Sequence, residues 1–180
     1  MIGMTDEERQ LINTLISRVK SGDEKSLAEL YMLCYKGLFS VARNITRDRG
    51  GAEDVIQDVF IKVVRSAGTF RRGENGYGWL CAITRNAALD YVKKNNPYSY
   101  ADIDECFGLF DPASAPERID ERTEIRAALE KLSPPERKLL YLKYYCDMTV
   151  REIAANENMK KSTVSYNILQ AEEKLKKYLK

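Results

Sequence analysis

Apolar positions in the first half of the chain recur every three or four residues. Leu11, Ile12, Leu15, Ile16 and Val19 make one such stripe, the spacing that puts side chains on one face of an α-helix. Thr5 with Glu8 is a capping box in front of it, and Gly22 stands where a C-terminal cap belongs. Asp23 can cap a second helix carrying Leu27, Leu30, Tyr31, Leu38, Phe39, Val41, Ala42 and Ile45, with a break expected near Gly37. A third helix is predicted from Ala52 to Ser66. A fourth runs from Trp79 to Lys94, after the glycine-rich loop Arg71-Arg72-Gly73-Glu74-Asn75-Gly76-Tyr77-Gly78. No period-two alternation of a sheet appears before residue 97.

The second half is also helical and more specific. Ser133-Pro134-Pro135-Glu136 places a capping serine before proline at the first helical position and glutamate at the third, opening a helix through Leu139, Leu140, Leu142 and Tyr145. Thr149 and Glu152 repeat the box. Ile153, Ala154, Asn158, Met159 and Val164 follow at helix-turn-helix spacing, with the second helix predicted from Ser162 to Leu179. Its N-terminal end could enter a DNA major groove.

Charge divides the chain in three. Residues 1–96 carry a net +3, residues 97–125 a net −6 and residues 126–180 a net +5. The middle stretch holds Pro97, Pro112, Pro116 and Gly108 without a sustained helical period, so it reads as an acidic flexible linker. The fold class is therefore all-α, with two small helical domains at 1–96 and 126–180.

Composition removes several function classes. The chain has 180 residues and no histidine, which excludes Ser-His-Asp and Cys-His catalysis and His-ligated metals. Cys34, Cys81, Cys106 and Cys146 form no C-x-x-C pair and are expected to be reduced, mostly buried thiols. No metal or cofactor is expected, and few enzyme mechanisms remain easy to write. The longest apolar run, Leu139 to Leu142, is far short of the roughly 20 residues that cross a bilayer. With no basic start leading into an apolar block, the expectation is a cytoplasmic protein without membrane contact of its own.

Two surfaces hold candidate chemistry. On the third helix Val55, Ile56, Val59, Phe60, Val63 and Val64 form a stripe expected to be buried, while Asp54, Gln57, Asp58 and Arg65 cluster opposite, with Ile61 among them. An apolar anchor inside a polar rim is the pattern of a protein-binding face, although a lone exposed isoleucine is also ordinary. The fourth helix is expected to bury Trp79, Leu80, Ile83, Ala87 and Val92 and to project Arg85, Asn86, Asp90, Lys93 and Lys94. Beside Arg71, Arg72 and Tyr77 of the loop, these are ingredients for single-stranded DNA: cations for phosphates, an aromatic to stack a base, and amides to read base edges.

Taken together, Ser26-Leu27-Ala28-Glu29-Leu30-Tyr31, Ala52 to Phe60, Trp79-Leu80 and Arg85 to Lys94 resemble region 2 of the extracytoplasmic-function (ECF) group of the sigma-70 family. The stretch from Leu129-Glu130-Lys131-Leu132-Ser133-Pro134 through the helix-turn-helix is similar to region 4. The resemblance implies an alternative sigma factor that binds core RNA polymerase and opens promoter DNA. Asp54, Gln57, Asp58 and Ile61 would dock on the β′ clamp helices. Arg71, Arg72, Tyr77, Trp79, Arg85, Asn86, Asp90, Lys93 and Lys94 would hold the minus-ten element, and Arg151, Lys160, Lys161, Ser162, Thr163, Tyr166 and Asn167 the minus-thirty-five element. Region 4 would also meet the β flap, and an anti-sigma factor is an implied partner. Where the family often has a Lys-Ser-Arg-like run and a further basic residue, this chain has Ser165, Tyr166, Asn167 and Gln170. Glu157 stands where a packing leucine is common. From the residues alone, an autonomous helix-turn-helix regulator and a helical protein-binding adaptor remain open.

Overall fold

Thr5 starts the first helix as its spacing requires. In this computed structural model, which describes residues 4–71, 73–95, 125 and 127–179, the Thr5 hydroxyl accepts the Glu8 N–H at 3.2 Å and the Glu8 carboxylate accepts the Thr5 N–H at 2.8 Å. The chain divides into two compact units, Met1–Tyr100 and Ala101–Lys180. The expected linker at 97–125, apart from its last residue, lies outside the described residues, as does Arg72.

In the first unit α1 (Asp6–Lys20) is followed by Gly22 at φ +85° and by Asp23, whose carboxylate caps α2 (Glu24–Thr46) through the N–H groups of Lys25 and Ser26. The break expected near Gly37 does not occur. A β-carbon there would overlap the Tyr77 hydroxyl, so this glycine admits a neighbouring helix and does not end its own. Asp48 accepts the Gly51 N–H at 2.5 Å and starts α3 (Arg49–Ser66) three residues before the predicted Ala52. A 3₁₀ turn, Ala67–Thr69, leads to a short loop and α4 (Gly76–Asn95).

The loop is shorter than the sequence suggests. Gly76, Tyr77 and Gly78 already belong to α4 and are buried, and the Gly76 N–H donates to Asn13 Oδ1 of α1 at 2.8 Å. Helix α2 packs on α1, α3 and α4. The core between them is filled by fully buried Ile12, Leu15, Ile16, Leu30, Leu38, Ile56, Val59, Val63 and Leu80, each worth roughly 1.5–3 kcal/mol over an exposed position.

In the second unit residues 127–130 are helical, and Ser133 and Glu136 form the expected box, with the Ser133 N–H and hydroxyl donating to Glu136 Oε2 at 3.0 and 2.8 Å. They open α5 (Pro134–Tyr144). Thr149 and Glu152 cap α6 (Val150–Asn156), and α7 (Lys161–Tyr178) starts one residue before Ser162, from a Lys160 that makes no side-chain cap bond. Asn158 takes φ +53° in the turn between α6 and α7, a conformation that asparagine tolerates. Leu140, Leu142, Ile153, Val164, Ile168 and Ala171 close the core.

Three ion pairs tie α7 and its turn to α5. Lys143 meets Glu172 at 2.6 Å, Lys174 meets Glu136 at 2.5 Å, and Lys138 meets Glu157 at 2.6 Å with side chains only 14% and 11% exposed. Cys34, Cys81 and Cys146 are buried and in no disulfide, and burial pushes the Cys34 thiol up to about 12. Among the described residues no helix is long and apolar enough to cross a membrane.

Candidate protein and nucleic-acid interfaces

Helix α3 turns its β-branched residues two ways. Val55, Val59 and Val63 are buried, whereas Ile61 is 51% exposed and Val64, expected in the buried stripe, is 49% exposed. The correction follows from helix geometry: at about 100° per residue Val64 lies at the stripe's edge, past the reach of α2 and α4. Ile61 and Val64 are i, i+3 neighbours, and Asp54, Gln57 and Asp58 are exposed beside them. Asp58 pairs with Lys62 at 2.8 Å across two partly exposed side chains. The rim thus mixes carboxylates, an amide and the exposed Arg65, with Asp58 paired to Lys62, and its centre is a pair of apolar side chains where the sequence indicated one.

Helix α4 gathers some of the predicted DNA contacts and separates others. Trp79, Ile83, Asn86, Asp90 and Lys94 recur at helical spacing on one face, with Lys93 beside them. Asn86, Asp90, Lys93 and Lys94 are exposed, while Trp79 and Ile83, expected in the core, are half-buried at its edge. The Trp79 ring lies 5.5 Å from that of Phe70. Arg85 is half-buried on an adjacent side of the helix. Arg71 is exposed, and its backbone N–H donates to Glu74 at 3.1 Å.

Tyr77 does not have the position expected of it. Its side chain is 7% exposed, with its hydroxyl against Gly37 of α2. It is a core residue, because α4 begins one residue earlier and directs it inward, so it has no open ring face for a base. Trp79 is the aromatic that shares a face with Asn86, Asp90 and Lys94.

On α7 the predicted contacts fall into two strips. Ser162 and Tyr166 lie opposite the buried Val164, Ile168 and Ala171, whereas Thr163 and Asn167 lie along one flank. Lys160, Lys161, Ser162, Thr163 and Tyr166 are exposed and Asn167 is half-buried; Arg151 is exposed at the start of α6. An open groove of about 490 Å³ runs between α7, the end of α5 and the start of α6, lined by Lys143, Val150, Ser162, Tyr166, Leu169 and Glu172, among others. Leu169, which sequence reasoning passed over, is exposed beside Tyr166. Its position three residues on was the available signal.

Behind the groove Glu172 accepts from both Lys143 and the Tyr144 hydroxyl at 2.6 Å. Burial raises the Glu172 carboxyl, but these two donors outweigh it and hold the group below the usual carboxylate range. Burial likewise lowers Lys143, and the Glu172 bond overcomes it, leaving the ammonium above its ordinary value.

A four-helix unit with exposed apolar side chains on α3 and a helix-turn-helix unit define the class of a two-module DNA-binding protein. The family comparisons give this class its place. Residues 30–97 match the model of sigma-70 region 2, and residues 122–175 match that of sigma-70 region 4. The ECF RNA polymerase sigma factor SigW of Bacillus subtilis is 26% identical over 190 aligned positions, covering 94% of this chain and 97% of the relative. The ECF RNA polymerase sigma factor SigK of Mycobacterium tuberculosis strain H37Rv is 25% identical over 159 positions, covering 85% of each. In fold the chain is similar to CnrH, solved in complex with the cytosolic domain of CnrY, at a TM-score of 0.59 and 20% identity over 94% of this chain and 97% of that one. The sigma factor RpoE, solved with the anti-sigma factor NepR from Bartonella quintana, gives 0.59 and 23% identity over 86% and 97%.

The chain belongs to the sigma-70 family, in its ECF group of alternative sigma factors that direct transcription initiation. Sigma factors bind core RNA polymerase and promoter DNA and are not enzymes. This decides against the autonomous regulator and the adaptor.

Proposed function

We propose that residues 1–96 dock on the β′ clamp helices through Asp54, Gln57, Asp58, Ile61 and Val64 and hold the opened minus-ten element on the α4 face. Residues 126–180 read the minus-thirty-five duplex and meet the β flap, and 97–125 is the acidic tether. Work in the cytoplasm and restraint by an anti-sigma factor complete the reading. The observation that carries it is the exposed Ile61–Val64 pair inside a polar rim, the arrangement of apolar centre and polar edge that protein-binding faces show.

The chemistry on the DNA side is positioning. Taking a base out of the stack costs a few kcal/mol, and the α4 face offers what offsets it. Lys93, Lys94 and Arg71 attract phosphates, Asn86 can hydrogen-bond a base edge, and the partly open Trp79 ring gives an apolar surface for a displaced base. Without polymerase to distort the duplex these contacts come too late, so the two surfaces of the first unit work together.

The test is promoter-directed run-off transcription with this chain and bacterial core polymerase, beside a direct core-binding assay. Ile61→Ala and Val64→Ala each remove about half a side-chain burial, ~1 kcal/mol, or roughly fivefold in Kd. Asp58→Arg with Ile61→Glu should abolish core binding and transcription while the helical circular-dichroism signal stays intact. Retained core binding by that double variant would refute the docking face, and no stimulation by the native chain on any promoter of its host would refute the function.

A further inference from the structure

The outward side of α7 is uncharged for more than two turns: no charged residue stands between Lys161 and Glu172. Its ridge is instead apolar. Tyr166 is 63% and Leu169 51% exposed, an i, i+3 pair roughly opposite the buried Val164, Ile168 and Ala171. Ser162 and Ser165 set hydroxyls beside them. Cations flank this ridge, with Lys160 and Lys161 at the helix entrance and Arg151 on α6, all exposed.

We infer that Tyr166 and Leu169 read thymine C5-methyl groups in the minus-thirty-five duplex. The inference rests on the region 4 reading above. The flanking cations complement phosphates, which place the helix but carry no sequence information. Guanine is recognised in the major groove chiefly by the forked or charged donors of Arg and Lys, and residues 162–171 contain neither. Two large apolar side chains pressed against polar base edges would lose water without a partner. The thymine methyl is the apolar group that the major groove offers, and Leu169 and the Tyr166 ring fit it. Specificity at this element therefore comes from methyl contacts, with serine hydroxyls adapting to neighbouring edges.

The test uses the full chain in holoenzyme with core polymerase, on promoters found by mapping transcription starts after overexpression. If no promoter responds, the sigma reading fails, and that result is separate from this one. On a responsive promoter, thymines of the minus-thirty-five element are replaced by deoxyuridine, which removes only the methyl. Open-complex formation should fall roughly fourfold for each contacted methyl. Leu169→Ala and Tyr166→Ala, both at exposed positions that should leave the fold intact, should bring the thymine-to-deoxyuridine ratio toward one. Equal use of both templates by the native holoenzyme overturns the inference, and that experiment needs no variant. So does discrimination that survives in both variants, a responsive element without thymine on either strand, or a loss of core binding that marks the ridge as a protein contact.

Discussion

Gly76→Ala tests whether the start of α4 is packed as tightly as its contacts imply. A β-carbon at residue 76 would meet Asn13 Oδ1, lie 2.8 Å from Ile16 Cδ1 and lie 3.1 Å from Ile12 Cγ2, and both isoleucines are fully buried. Alanine in a helix is favoured over glycine by at most ~1 kcal/mol. Against that stand about 1–3 kcal/mol for overpacking a filled core and ~1 kcal/mol for disturbing the bond to Asn13. The net loss should be about 2 kcal/mol, or roughly 10 °C in the Tm of the first unit. Ile16→Val removes the nearest carbon. Alone it should cost ~1 kcal/mol, but in the Gly76→Ala background it should cost nothing or stabilise. Trp79 is the chain's single tryptophan and sits half-buried beside Phe70, so its fluorescence in urea follows this unit without requiring the whole chain to unfold in one step. A Gly76→Ala variant as stable as the parent, or strictly additive losses in the double variant, would show that the packing argument is wrong.

Two predictions concern the second unit. Glu157→Leu should leave the nearly buried Lys138 ammonium without its carboxylate and cost about 2–3 kcal/mol, whereas Lys138→Met with Glu157→Leu should lie within ~1 kcal/mol of native; thermal melts of the two variants decide it, and a harmless single change refutes it. The Glu172 and Glu136 carboxyls are held below their ordinary value because their donors, Lys143 and Tyr144 for the first and Lys174 and Ser133 for the second, outweigh burial. They bind fewer protons folded than unfolded, so their stabilisation is complete above ~4.3 and is lost as pH falls through the lowered values. Lys143, held above its ordinary value, keeps its contribution until pH rises past about 10.4 and through the raised value. Glu172→Gln should weaken the acid dependence of the second unit's Tm; an unchanged acid limb would show that the Lys143 and Tyr144 bonds do not hold in solution.

The caps and the apolar period made most helices legible, because capping boxes are local and helical spacing follows from backbone geometry. The boxes at Thr5, Ser133 and Thr149 all form. Errors arose where long-range contact decides the outcome. Gly37 and Gly76 signal a break and a loop by local propensity, yet both are sites where another element approaches the backbone too closely for a side chain. Tyr77 followed from the same mistake: a loop residue becomes a core residue once the helix starts at Gly76. Val64 sits at the margin of its stripe, where a shift of a few tens of degrees separates core from surface, whereas Leu169 stands well away from the buried stripe of α7 and was simply passed over. The Lys138–Glu157 pair joins residues nineteen positions apart in sequence, which no helical period can indicate.

The 23 residues of α2 form an unbroken rod, about 34 Å long at the standard rise. On the reading proposed above, the face that grips the polymerase and the face that holds the separated strand belong to α3 and α4, and both are mounted on this rod. Their offset is therefore fixed by interlocked side chains, as jaws are fixed on a common shaft. The first unit then acts as a gauge of set width, and a promoter has to place its unpaired bases to suit that width.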